Sequence, residues 1–283
     1  MSTVFLPFAS LENEFLRVDY LTTTGPRILG LYAKGADGNL LAETPQVHWQ
    51  TPHGDYYLRG GHRLWIAPED PFYTCPEDRV EVTAEKGNVI LRSDIDASGL
   101  EKQISFRLDD HCVELTHEIT WHGRDPMEFA PWAITQLRLG GLAILPQSTS
   151  DGLLPNRNLV FWPYSQLKDD RLELYEDLIL IHGRPSAQAF KIGNYNPHGW
   201  LAGLFGDALF VKRFSPTDQK YPDMGCNVEA YVKDLFLELE SLGPLTTLRP
   251  NESITHRERW QVSVGDYPPT LETARMIRKQ LSL

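Results

Sequence analysis

Cys112-Val113-Glu114-Leu115-Thr116-His117-Glu118-Ile119-Thr120-Trp121 alternates along its whole length. Val113, Leu115, His117 and Ile119 share one face of an extended chain, and Glu114, Thr116, Glu118 and Thr120 share the other. This is a strand with one buried and one wetted side, the pattern of an antiparallel sheet. His117 falls on the apolar side and reads as a core histidine with its hydrogen bonds met inside the protein. Upstream, residues 79–84, 88–95 and 100–108 repeat the alternation. They are separated by Glu85-Lys86-Gly87, Ala97-Ser98-Gly99 and Asp109-Asp110, so the stretch is a β-meander.

The pattern extends in both directions. Residues 14–20 and 27–34 are strands around the Gly25-Pro26 turn, and 43–55 is polar, contains proline and reads as a loop. Residues 70–77 and 148–157 read as further loops. Residues 127–139 form an apolar strand, but Pro131 within it argues against a central position unless a bulge or an edge lies there. Short strands follow at 159–162, 171–175, 178–182 and 189–192. A tight hairpin through Gly206-Asp207 joins 199–205 to 208–214, and strands at 227–232, 235–240 and 253–264 complete the set. Only residues 270–281 have helical character, with Leu271, Ala274, Met276, Ile277 and Leu281 among interspersed charges. The expectation is an all-β protein: one large twisted antiparallel β-sandwich domain over residues 1–283, with a short C-terminal helix.

Composition narrows the function. The formal charge of -11 at neutral pH opposes nucleic acid and anionic membrane as partners, since both need a basic surface. Three cysteines, Cys75, Cys112 and Cys226, are too few and too scattered for a disulfide framework or a zinc cluster. No secretory signal or membrane-length apolar run is evident, so the expected location is cytoplasmic. No metal-ligand spacing, phosphate loop or serine elbow is present, and no cofactor is expected.

The chemistry-bearing stretch is Arg59-Gly60-Gly61-His62-Arg63-Leu64-Trp65-Ile66-Ala67-Pro68-Glu69. Its glycines permit close approach to another chain or a ligand. Alternation sets His62, Leu64 and Ile66 on one side and Arg63, Trp65 and Ala67 on the other. A guanidinium beside an indole suits a polyhydroxylated ligand, with donors for its oxygens and a ring for its C–H bonds. An edge salt bridge and a core tryptophan would read the same way. Glu238 and Glu240 share a strand face, as do Asn227, Glu229 and Tyr231. Either set is a polar binding surface or simply a solvated one.

The order of elements resembles the galactose mutarotase-like superfamily over roughly residues 15–262. Three runs carry the resemblance. They are Gly25-Pro26-Arg27-Ile28-Leu29-Gly30-Leu31 with Gly38-Asn39-Leu40-Leu41, then the run from Gly61 to Glu69, then the closing strands around Glu238-Leu239-Glu240 and Glu258-Arg259-Trp260. Within the superfamily, Gly60-Gly61-His62-Arg63-Leu64-Trp65 and Pro131-Trp132-Ala133-Ile134-Thr135-Gln136 resemble the subfamily called domain of unknown function 4380.

The resemblance implies a monomer or homodimer that binds a small-molecule carbohydrate and acts as an aldose 1-epimerase. Glu240 would be the base. The superfamily's central histidine has no counterpart in residues 130–136, so His62 is the expected acid and His198 the next choice. Arg63, Trp65, Glu69, Trp132, Gln136, Asn227, Glu229 and Glu238 would contact substrate. Two further readings stay open: a non-catalytic carbohydrate-binding protein, and a hydrolase built on Glu69 with Glu240.

Overall fold

Alternation along the chain has a structural consequence: every long strand has one face to bury, and two sheets stacked face to face bury both sets. The computed structural model describes residues 6–77 and 79–281. Its strands, in chain order, begin with β1 (Phe8–Glu12), β2 (Leu16–Leu21), β3 (Ile28–Ala33), β4 (Glu43–Thr51), β5 (Gly54–Gly60) and β6 (His62–Ala67). The meander follows as β7 (Val80–Glu85), β8 (Asn88–Ser93), β9 (Leu100–Asp109) and β10 (Cys112–Trp121). Next come β11 (Met127–Leu137), β12 (Leu142–Pro146), β13 (Val160–Phe161), β14 (Leu172–Leu174), β15 (Leu178–His182) and β16 (Phe190–Asn194). The last are β17 (Trp200–Leu204), β18 (Gly206–Arg213), β19 (Val228–Val232), β20 (Leu237–Leu242), β21 (Thr246–Leu248) and β22 (Ser253–Tyr267), followed by helix α1 (Leu271–Leu281).

The first sheet runs β1-β2-β3-β6-β11-β20-β19-β16-β13, with β21 also paired to β11. The second runs β14-β15-β12-β17-β18-β22-β10-β9-β8-β7. Every pairing is antiparallel. The expected all-β sandwich is therefore the observed one. Val113, Leu115 and Ile119 of β10 join Leu64 and Ile66 of β6 in the core between the sheets. Helix α1 covers the far face of the second sheet, where Ala274 and Ile277 pack with Leu142, Ile144, Trp200 and Val211. Thr270 caps it by accepting the amide of Thr273, and Glu272 and Arg278 sit at the ends that suit their charges.

Two expectations need correction. Residues 43–55 are not a loop: β4 and β5 form a separate two-stranded hairpin, with a register shift between Thr44 and His48. Most of β4 is exposed or only partly buried, so no burial alternation marked it as strand. Pro131 stands in the interior of the first sheet without weakening it. β20 pairs with β11 only from Trp132 onward, and β21 only up to Phe129. The proline occupies the gap where its missing N–H has no ladder partner to lose, and its carbonyl accepts from the amide of Gly243 at 2.9 Å.

The paired glycines approach the chain itself. Gly60 and Gly61 have φ of +93° and +72°, and a Cβ on them would lie 2.1 Å from the Ala42 carbonyl oxygen and 2.0 Å from that of Ile28. This pinch seats the β4–β5 hairpin over the outer face of the first sheet. Arg27, fully buried, clamps it there by donating to the Gly60 carbonyl at 2.9 Å and the Tyr56 hydroxyl at 2.8 Å.

Candidate functional site

The outer face of the first sheet carries a third cluster, Trp65, Ala67, Ala130, Trp132, Ile134 and Leu242, beneath Tyr56 and Leu58 of the hairpin. Polar side chains share this face. In β6, β11, β20 and β19 the register places Arg63 opposite Ile134, Ile134 opposite Glu240 and Glu240 opposite Glu229. One step along, Gln136 faces Glu238 and Glu238 faces Tyr231, with Lys191 of β16 opposite Tyr231. Alternation in five strands thus brings two cations, three carboxyl groups and an amide together.

Their contacts are specific. Trp132 Nε1 donates to Glu240 Oε2 at 2.6 Å, and Lys191 Nζ donates to the same oxygen at 3.0 Å. Lys191 Nζ is also 2.6 Å from Glu229 Oε2, a buried ion pair. It lies 4.4 Å from the Trp132 ring centre and 4.5 Å from that of Trp162. Arg63 donates to Glu238 Oε1 at 3.0 Å and stacks on Trp65 at 4.4 Å.

Burial raises the cost of charge here, and the neighbours decide where charge survives. For Lys191 burial favours loss of the proton, but Glu229 and Glu240 outweigh it and hold the ammonium well above its ordinary value. Burial pushes Glu240 up, yet Lys191 and the hydrogen bonds it receives bring it below the usual carboxylate range, so it is ionised. Burial dominates at Glu229, reinforced by Glu240 and Asp223, and keeps it well above that range despite Lys191. Glu238 is pushed up to about 7 by burial and Glu240, against the pull of Arg63.

Several polar atoms in this row are buried with no hydrogen-bond partner among the described residues. These are Nε and Nη1 of Arg63, both side-chain ends of Gln136, Oε1 of Glu229 and Oε1 of Glu240. Each such atom costs about 1–3 kcal/mol if left unpaired. The cover is aromatic: Trp162, Tyr164 and Tyr231 close the row, with Tyr164 and Tyr231 6.3 Å apart. The irregular stretch 148–195 therefore supplies part of the lid. Beside it Asp223, close enough to influence Glu229, lines a hollow of about 540 Å³ with Pro68, Tyr195, Tyr221, Met224 and Leu245. Asp223, Met224 and Gly225 all have left-handed backbone, with φ of 48°, 60° and 94°.

Of the residues singled out in the sequence, Arg63, Trp65, Trp132, Gln136, Glu229, Glu238 and Glu240 come together. Glu69 is exposed in the loop after β6 and close enough to influence the Tyr164 hydroxyl. Asn227 is spent on the chain, accepting from the Asn196 amide at 2.7 Å and donating to the Asn196 carbonyl at 3.0 Å. His198 Nε2 donates to the Gln147 carbonyl, 3.1 Å away. His62 needs the clearest correction: it points between the sheets, on the side of the strand opposite to Arg63, and is fully buried there. Lys191 is central to the row, although in the sequence it looks like one of several scattered lysines.

No family model and no curated protein sequence matches this chain. Solved structures do. The Slr1438 protein of Synechocystis sp. PCC 6803 aligns with a TM-score of 0.59 at 14% identity, over 94% of this chain and 98% of that one. A galactose mutarotase-like protein of Lactobacillus casei gives 0.56 at 10% identity, over 91% and 100%. A proposed aldose 1-epimerase of Escherichia coli K12 gives 0.59 at 13%, over 92% and 99%. The fold is galactose mutarotase-like.

Between the sheets of this mutarotase-like sandwich lies a second polar cluster. Lys212 Nζ reaches the carbonyls of Ala133 (2.8 Å) and Leu239 (3.1 Å), Thr135 Oγ1 (3.1 Å) and Glu258 Oε1 (2.9 Å). Thr135 Oγ1 is 2.9 Å from His62 Nδ1, His62 Nε2 is 2.7 Å from His117 Nε2, and His117 Nδ1 is 3.1 Å from the His256 carbonyl. The carbonyl end can only accept, so the proton order is fixed. His117 carries its proton on Nδ1 and His62 on Nε2, and the Thr135 hydroxyl donates to His62. Ser241 and Trp260 donate to Glu258, and His256 donates to Ser241. His62, His117 and Glu258 are close enough together to ligate a metal, a grouping that sequence spacing does not show. The two rings are instead bonded to each other, and the Lys212 ammonium serves as Glu258's cation.

Burial holds all three rings below the ordinary histidine range, His256 at about 3. At pH 7 they are expected to be neutral in the folded chain with the proton positions just given. Imidazole nitrogen shifts by NMR check both points, and a protonated ring at pH 7 contradicts them. Rings kept neutral by the fold take up protons on unfolding below about pH 6.5, so each withdraws up to about 1.4 kcal/mol of stability per pH unit below that. Glu229 and Glu238, raised by the fold, act oppositely above about pH 4.3. Asp223, also raised by burial, joins those two, so the core histidines and these carboxyl groups pull stability in opposite directions as pH falls.

No helix among the described residues is long and apolar enough to cross a membrane.

Proposed function

We propose that this chain binds a sugar or sugar derivative on the outer face of the first sheet and acts on it as a mutarotase-like epimerase, with Glu240 as base. The observation that carries this reading is the row of unpaired polar atoms on Arg63, Gln136, Glu229 and Glu240 beside the edge-to-face rings of Trp65 and Trp132. A saccharide offers what that row needs: hydroxyls that both donate and accept, and C–H faces for indole. Opening an aldose ring requires a base that is ionised at neutral pH, and Lys191 keeps Glu240 in that state. Ligand entry requires the cover of Trp162, Tyr164 and Tyr231 to move. The two runs 60–65 and 131–136 that suggest the 4380 subfamily contribute Arg63, Trp65, Trp132 and Gln136 to this row.

The test is proton NMR of freshly dissolved α-anomers of neutral, acidic and phosphorylated aldoses, with and without protein. Faster interconversion is expected, slowed about 100-fold by Glu240→Gln. A second reading, carbohydrate binding without chemistry, is favoured by one fact: Lys191 and Trp132 both occupy one oxygen of Glu240. Saturable binding with no acceleration of any aldose would select it.

A further inference from the structure

We infer that Glu229 is the proton donor to the sugar's ring oxygen, taking the role for which the 130–136 strand offers no histidine. The inference rests on the epimerase reading above. Glu229 lies directly opposite Glu240 in the β19–β20 register, where antiparallel partners are about 4.5–5.5 Å apart at Cα. Both carboxyl groups meet one Lys191 ammonium, at 2.6 and 3.0 Å. Glu229 is fully buried, with Oε2 against that ammonium and Oε1 without a hydrogen-bond partner among the described residues. Burial, Asp223 and Glu240 together keep Glu229 protonated, so it holds a proton to give.

The alternatives are weaker donors. Glu238 has an oxygen committed to Arg63. Lys191 holds its protons more firmly because two carboxyl groups share it. The hydroxyls of Tyr164 and Tyr231 are raised by burial and are poorer acids still. Cys226, also near Glu229, is likewise raised by burial. His62 is on the far side of the sheet.

The step balances without a co-reactant. Glu240 carboxylate takes the proton of the anomeric hydroxyl while Glu229 gives its proton to the ring oxygen. The bond from C1 to the ring oxygen breaks and the anomeric C–O becomes a carbonyl. After rotation about C1–C2, Glu229 carboxylate removes the proton from the ring-opened hydroxyl as that oxygen closes on the other face of C1. Glu240 then returns its proton to the carbonyl oxygen. Lys191 stands between the two carboxyl groups, so the negative charge passes from Glu240 to Glu229 and back against one fixed cation. The net charge of the trio never changes, which is what a buried site requires.

The test is the pH–rate profile of anomer interconversion for wild type, Glu229→Gln and Glu238→Gln, with urea midpoints to confirm folding. A rate about 100-fold lower in Glu229→Gln, with the alkaline limb of the profile lost there but kept in Glu238→Gln, is the expected result. A wild type that accelerates interconversion alongside a Glu229→Gln variant within threefold of it overturns the donor and leaves the epimerase standing. A wild type inert toward every aldose overturns both. Should Glu229→Gln fail to fold, carboxyl carbon NMR of the wild type decides. Glu229 protonated and Glu240 ionised at pH 7 is expected, and the reverse order overturns the inference.

Discussion

Lys212→Met is expected to lower the stability of the fold by about 3–5 kcal/mol, the range found when one partner of a buried ion pair is removed. Lys212 and Glu258 are both fully buried, 2.9 Å apart. Methionine fills much of the same volume, so the loss is electrostatic rather than a cavity. It leaves Glu258 charged in the core and takes donors from the carbonyls of Ala133 and Leu239. Acid should relieve only part of this, because Glu258 can be protonated and the two carbonyls cannot. Urea midpoints at pH 7 and pH 5 measure both effects. A cost under 1 kcal/mol would show that the cluster repacks, and full rescue at pH 5 would assign the whole loss to Glu258. The residues Lys212 touches also matter for the face behind them. Ala133, Thr135 and Leu239 alternate with Trp132, Ile134, Gln136, Glu238 and Glu240, so one ammonium fixes β11 and β20 from the back while the site sits on their front.

How much of this was legible in the sequence follows from what alternation encodes. It reports which residues share a face, and it gave the sandwich, the pairing of Arg63 with Trp65 and of Glu238 with Glu240, and the place of His117 among core residues. It also put His62 opposite Arg63. The expectation that His62 would be the acid came from proximity in the chain and from the superfamily's need for a histidine, and the strand's period of two overrules both. Alternation also contains Lys212, since Ala208, Phe210 and Lys212 share a face and the first two are core. A lysine on an apolar face was the available signal. Lys191 is harder: Phe190 and Ile192 take the other face of β16, Lys191 shares its own with Gly193, and only the pairing of β16 with β19 shows that it reaches carboxyl groups. Pairing between strands distant in sequence is not written in either strand, which is also why the Glu229–Glu240 opposition could not be read from the sequence. Strand β4 escaped for the reverse reason, since a strand wetted on both faces has no alternation to find.

Lys191→Met should separate the two clusters, because its neighbours can do what backbone carbonyls cannot. Removing the ammonium leaves Glu229 and Glu240 facing each other, buried, with no cation between them. Glu240 then loses the attraction that kept it ionised, and burial together with the facing carboxyl pushes it upward. At pH 8 its ionisation must be forced, and the variant is expected to lose about 3–5 kcal/mol. At pH 5 it can bind a proton and most of that loss should return. The sign is the opposite of the acid sensitivity set by the core histidines: a carboxyl raised by the fold stabilises at low pH and costs stability as pH rises through its folded value. Urea midpoints at pH 5, 6.5 and 8 give the slope, and a loss independent of pH would show that Lys191 contributes packing against Trp132 and Trp162 rather than charge. The same substitution should abolish anomer interconversion at pH 7, because a base already carrying its proton cannot accept another. A variant that folds, has this pH slope and still interconverts anomers at the wild-type rate would remove Glu240 from the chemistry altogether.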